Sequence, residues 1–191
     1  MDITSPSPDL ITPLVPEAAT AAAGNQETAA FAGGCFWGVE DAFRRLPGVV
    51  ATRVGYAGGH TERPTYRQVC SHTTGHAETV EVVYDPARVS YEQLVTAFLV
   101  DIHDPTQLNR QGPDVGDQYR SAIFVRDRGQ REVAERIIRE LTAQNRSHHP
   151  IVTEITDAPQ FWEAEEYHQQ YFEKQGGGAC HLPVGGRWMG A

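Results

Sequence analysis

Apolar residues in this chain recur at two different periods, and the switches between them mark out its elements. Residues 27–32 are a short apolar run that predicts a buried strand. From Cys35 the apolar positions fall at Cys35, Val39, Ala42, Phe43 and Leu46, the spacing of a helix, which Pro47-Gly48 ends. Val49 to Tyr56 reads as a second strand. A glycine- and histidine-rich loop follows, with one helical turn over Tyr66 to Cys70. Residues 77–84 alternate, with Glu78, Val80, Val82 and Tyr84 on one face and Thr79, Glu81 and Val83 on the other, so they predict a strand closed by Asp85-Pro86. Ser90 and Gln93 form a capping box for a helix lined by Leu94, Val95, Phe98, Leu99 and Ile102.

The segment from Asp104 to Gln118 is polar and long for a loop without elements of its own, which points to function. Tyr119 to Arg126 alternates like a strand. Asp127-Arg128-Gly129 turns it into a helix carrying Val133, Ile137, Ile138 and Leu141. Ile151 to Ile155 predicts a short strand. Pro159 to Phe172 predicts a last helix, with Phe161, Trp162, Ala164, Tyr167 and Tyr171 partly buried. The resulting order starts strand, helix, strand, strand, helix, strand, which matches a split βαβ arrangement. The expected fold is an α+β two-layer sandwich, a mixed sheet built on a ferredoxin-like core, over residues 27–174. Residues 1–26, with Pro6, Pro8, Pro13 and Pro16, read as a disordered leader, and 175–191 as a flexible glycine-rich tail.

Composition narrows the function. The chain has 191 residues and a net charge of −9, and it lacks any basic run, so nucleic acid is not an expected partner. No apolar stretch approaches the ~18 residues of a membrane span. The leader lacks the basic start and apolar core of a secretory signal. Cys35, Cys70 and Cys180 are too few and too scattered for a disulfide scaffold, and no CxxC suggests zinc. That cysteine usage suits a reducing compartment, and a cytoplasmic monomer is expected. His148 and His149 are adjacent and read as surface residues, not metal ligands.

Gly33-Gly34-Cys35-Phe36-Trp37 sits where strand pattern gives way to helix pattern. The first N–H groups of a helix are unpaired and its dipole is positive there, so a thiol at that end ionises more readily, and the thiolate is the nucleophile. A cysteine among aromatics is also often an inert core residue. Three readings stay open on the residues alone: a thiol enzyme of redox type, a cysteine hydrolase or acyltransferase with a histidine base, and a non-enzymatic thiol- or metal-binding module.

Longer motifs separate them. GGCFWGVED, PTYRQVCSHTTGHAETVEVVYDP, NRQGPDVGDQYRSAIF and FWEAEEYHQQYF, in this order over roughly residues 27–182, resemble the peptide methionine sulfoxide reductases of type A. The resemblance implies reduction of methionine S-sulfoxide, free or in oxidised proteins, without a bound cofactor and with thioredoxin as external reductant. It implies that Cys35 attacks the sulfoxide sulfur and is left as a sulfenic acid. Glu78 matches the general acid, a role that needs a protonated carboxyl. Tyr66 and Tyr119 match two phenols that donate to the sulfoxide oxygen. Phe36 and Trp37 match the pocket for the substrate methyl group, and Asp114 a carboxylate that contacts substrate or nearby loop backbone. Cys180 matches the resolving cysteine, giving a Cys35–Cys180 disulfide. Cys70 is expected to be a buried spectator and His76 part of the scaffold.

Overall fold

The computed structural model describes residues 25–144 and 149–176. Nearly all of the leader, most of the tail, Cys180 and His148 lie outside the described residues. The elements are β1 (Glu27–Gly33), α1 (Phe36–Arg44), β2 (Val49–Ala57), α2 (Tyr66–Val69), β3 (Ala77–Tyr84), α3 (Tyr91–Ala97), β4 (Arg110–Gln111), β5 (Asp114–Val115), β6 (Ser121–Val125), α4 (Arg128–Ala143), β7 (Glu154–Asp157), β8 (Trp162–Glu163) and α5 (Tyr171–Lys174).

Six strands form one mixed sheet in the order β7-β6-β1-β3-β2-β8. β1 runs antiparallel to both β3 and β6, β3 antiparallel to β2, and β6 parallel to β7. Alternation along the strands sorts side chains to two faces. Phe31, Val80, Val82 and Ile123 face a core completed by Val39 and Phe43 of α1, Leu94 and Val95 of α3 and Ile137 and Leu141 of α4. Phe31 stacks on Phe43 with ring centroids 4.8 Å apart and tilts against Phe98 at 5.0 Å. The opposite face carries small residues, Ala30, Ala32, Ala57, Ala77 and Ala122, with Phe124 and Phe161. There Glu81 is buried and ion-paired to Arg53 and Arg126. The α+β architecture of a mixed sheet with helices is as expected.

Three expectations are corrected. The strand expected from Tyr119 begins at Ser121, because residues 117–119 form a tight 3₁₀ turn. The segment Asp104 to Gln118 holds a small hairpin, β4–β5. The helix expected over 159–172 does not form. Trp162 and Glu163 are drawn out as β8 to pair with Tyr56 and Gly55 on the edge of β2. Gly55 permits that approach, since a Cβ there would lie 2.3 Å from the Trp162 carbonyl oxygen. Gln169 then extends the pairing with its side chain, accepting from the Val54 N–H at 2.9 Å and donating to the Val54 carbonyl at 2.9 Å. Sheet-edge pairing outweighs a helical periodicity whose residues would otherwise leave those edge groups unpaired.

The turn after α3 widens to a π-helical one over Phe98–Ile102, and His103 follows it fully buried. Its Nδ1 lies 2.7 Å from the Phe98 carbonyl and its Nε2 2.6 Å from Ser121 Oγ. Burial holds its pKa down at about 4, against 6.5 for a free imidazole. The unfolded chain therefore binds a proton between those values that the folded chain does not. The stability due to the neutral ring is whole above pH 6.5 and is lost as pH falls towards 4, by up to about 3 kcal/mol. Urea unfolding across that range should show this slope, and His103→Gln should remove its share.

Candidate active site

Cys35 is the N-cap residue of α1, half-buried, with its carbonyl accepting from the Gly38 and Val39 N–H groups at 3.2 and 3.4 Å. The turn into this position depends on Gly34. Its φ is +99°, and a Cβ there would lie 2.7 Å from the Gln111 side chain. Gln111 cannot yield easily, because its amide is fixed to the Asp104 backbone by bonds of 3.0 Å to both the N–H and the carbonyl. The first turn of α1 also meets the side chain of Glu78. Phe36 N–H donates to Glu78 Oε2 at 3.0 Å, and Glu78 is 2% exposed. Alternation along β3 places Glu78 on the core face with Val80 and Val82, beneath α1, and not in solvent. A carboxyl group thus sits one residue from the thiol, at the positive end of the helix.

Two phenols from other elements feel the charge of Glu78. Tyr66 opens α2, whose capping box of Thr65 and Gln68 fixes its start. Its N–H donates to Glu165 Oε1 at 2.9 Å, while Glu165 Oε2 accepts from the Tyr56 hydroxyl at 2.9 Å. Burial alone would raise the Glu165 pKa, but these bonds to its carboxylate outweigh it and the pKa is lowered. Tyr119 ends the 3₁₀ turn, with its N–H donating to the Gly116 carbonyl at 3.0 Å. The pKa of each phenol is pushed far up, first by burial; Glu78 adds to both, Cys70 also acts on Tyr66, and Asp114, Cys70 and Cys35 also act on Tyr119. Both hydroxyls are therefore protonated donors. Glu78, Asp114 and Cys35 thus lie near enough to act on Tyr119, and Glu78 and Tyr119 near enough to act on Tyr66, although these residues are spread from the start of α1 to the turn after the β4–β5 hairpin.

Phe36 is buried against Tyr56 and His168, with ring centroids 5.9 and 5.1 Å away. Trp37 is half-buried and stacks on Tyr171 at 3.8 Å, with 7° between the planes. Its indole N–H donates to His168 Nδ1 at 3.0 Å. His76 braces the neighbouring loop, accepting from the Gly59 N–H at 3.1 Å and meeting the Thr61 carbonyl at 2.8 Å.

Cys70 is less buried than expected. It is only partly buried, and its thiol is hydrogen-bonded with the Tyr66 side chain, because the short α2 turn puts the two residues four positions apart on one side. Burial raises its pKa, so it stays a thiol at neutral pH. Among the described residues, no three His, Cys, Asp or Glu side chains are grouped to hold a metal ion, and no helix is long and apolar enough to cross a membrane.

Sequence reasoning passed over Glu165, His168 and Tyr171 as site residues. The segment carrying them was recognised only as aromatic, and helical periodicity cannot single out His168, whose partner Trp37 lies 131 positions away.

Comparison with known proteins places this geometry in context. The family model described as peptide methionine sulfoxide reductase matches residues 27–187. Peptide methionine sulfoxide reductase MsrA of Geobacter metallireducens is 59% identical over 155 residues, covering 81% of this chain and 95% of that protein. The structure of methionine sulfoxide reductase A of Corynebacterium diphtheriae superposes with a TM-score of 0.69 at 42% identity, covering 82% of this chain and 78% of that one. Mxr1 from Saccharomyces cerevisiae in reduced form gives a TM-score of 0.75 at 34% identity, over 81% of this chain and 88% of that one. The same yeast protein has been solved in complex with Trx2, and that chain aligns at a TM-score of 0.55 and 26% identity, over 84% of this chain and 88% of that one.

Proposed function

Since the chain belongs to the peptide methionine sulfoxide reductases of type A, enzymes that reduce the S-oxide of methionine, we propose that Cys35 is the nucleophile of that reaction, with Glu78 as its proton donor. One observation carries this reading: the N–H of Phe36, next to the thiol, is bonded to the buried Glu78 carboxyl at 3.0 Å. The Cys35 thiolate, favoured by the N-terminus of α1, attacks the sulfoxide sulfur. The oxygen takes a proton from Glu78 while the Tyr66 and Tyr119 hydroxyls donate to it. The thioether leaves as methionine, two electrons richer, and the oxygen remains on Cys35 as a sulfenic acid. Phe36 and Trp37 hold the methyl group, and Asp114 contacts the substrate main chain or its loop.

The cycle closes through the tail. The Cys180 thiol displaces water from the sulfenic acid to give a Cys35–Cys180 disulfide, which the dithiol of thioredoxin reduces. The glycines at 176–178 favour this reach. In this reading residues 27–174 form the catalytic domain and 175–191 deliver the second thiol. The order β6-β1-β3-β2, with β3 lying between β1 and β2, supports the ferredoxin-like split βαβ as the core. A cytoplasmic monomer acting on free or protein-bound methionine sulfoxide completes the proposal.

Single-turnover assays test it. The wild type should release one methionine per chain from the S-sulfoxide without reductant, and none from the R epimer. Cys180→Ser should match that first turnover yet fail to cycle with thioredoxin. Full cycling by that variant would show that another thiol resolves the sulfenic acid.

A further inference from the structure

We propose that His168 is a positioning residue for the reaction, locking the Trp37 indole in the orientation that walls the substrate methyl site; this rests on the reading of Trp37 given above. A tryptophan in the first turn of a helix, half exposed, has other rotamers open to it. Its single N–H decides among them, because a buried indole N–H without an acceptor is costly and would turn towards water. Here the acceptor is His168 Nδ1 at 3.0 Å. The opposite constraint is the stacking on Tyr171. The two residues sit on the same short segment, so one stretch of chain fixes both the edge and a face of the ring.

That segment is itself tied down at three points. Glu165 is bonded to the Tyr66 N–H and the Tyr56 hydroxyl. Gln169 is bonded to both backbone groups of Val54. Gln170 donates its N–H to the buried Glu40 at 2.9 Å and its side-chain amide to the same carboxyl at 3.1 Å. The imidazole is 1% exposed and fenced by the rings of Phe36, Tyr66 and Tyr167 at 5.1, 4.6 and 4.1 Å. Nδ1 can accept only if the ring is neutral with its hydrogen on Nε2. Burial lowers the ring's pKa and favours that form, while the Glu165 carboxylate, 4.0 Å from Nε2, pulls the other way. The bond to Trp37 thus sets the tautomer as well as the indole.

Three substitutions separate an acceptor at this point from a merely packed ring. His168→Asn keeps an acceptor where Nδ1 stands, His168→Gln moves it to the place of Nε2, and His168→Leu removes it. The KM for methionine S-sulfoxide and the single-turnover rate at saturation would be measured, with the Trp37 indole ¹H–¹⁵N resonance identified through Trp37→Phe. His168→Leu and His168→Gln should raise KM about tenfold, leave the saturated rate within about threefold and shift the indole resonance; these sizes follow from losing one buried hydrogen bond. His168→Asn should restore both readings to near wild type. If Asn and Gln behave alike, the position of the acceptor is immaterial and the proposal is wrong. If KM is unchanged in Trp37→Leu, it is the substrate-wall reading that fails, whatever the resonance does.

Discussion

Serine in place of Cys35 is expected to abolish methionine sulfoxide reduction, lowering turnover at least about a thousandfold in a dithiothreitol-coupled assay of methionine release. The change replaces one atom. Cys35 caps α1 through its carbonyl, which accepts from the Gly38 and Val39 N–H groups, and serine keeps that carbonyl. The hydroxyl, however, stays protonated where a thiol at a helix N-terminus ionises, and oxygen is the poorer nucleophile toward sulfur. It also cannot take up the sulfoxide oxygen as a sulfenic acid and later yield it as water. An unchanged thermal unfolding curve alongside lost activity would place the defect in chemistry. Turnover above about a hundredth of wild type would remove Cys35 from the role assigned to it.

The second large effect concerns Glu78. Glutamine there should slow the first step by about a hundredfold to ten-thousandfold, the span usual for a lost general acid. The isostere keeps an oxygen to accept from the Phe36 N–H, so the start of α1 remains anchored and substrate binding should hold within a few-fold. The split between a collapsed saturated rate and a preserved KM distinguishes loss of a proton from loss of structure. Stopped-flow measurement of methionine release over one turnover reads it directly. A rate equal to wild type would mean that the sulfoxide oxygen draws its proton from Tyr66, Tyr119 or water instead.

Particular residues show what was legible in advance. The Gly-Gly-Cys boundary was readable because a strand and a helix have different apolar periods, and glycine relieves the positive φ that the join requires at Gly34. The face occupied by Glu78 was readable from strict alternation in β3. That it is buried was not, since alternation separates two faces without saying which is wet. The segment 159–172 failed for a related reason. Its aromatic spacing suits a helix locally, but the free edge of β2 and the side chains of Gln169 and Gln170 offered pairings that no local pattern records.

The order of β1, α1, β2, β3, α3, β6, α4 and β7, the thiol at a helix start and the family were settled by the amino-acid sequence, because periodicity, turn residues and long motifs are properties of neighbours along the chain. The bond of Glu78 to the first turn of α1, the nearness of Cys35, Glu78 and Asp114 to Tyr119, and the bracing of Trp37 by His168 and Tyr171 were decided by tertiary structure alone. Burial, hydrogen-bond partners and the pKa shifts they cause depend on which distant segments share a dry space, and that is set only when the sheet and its covering helices close together.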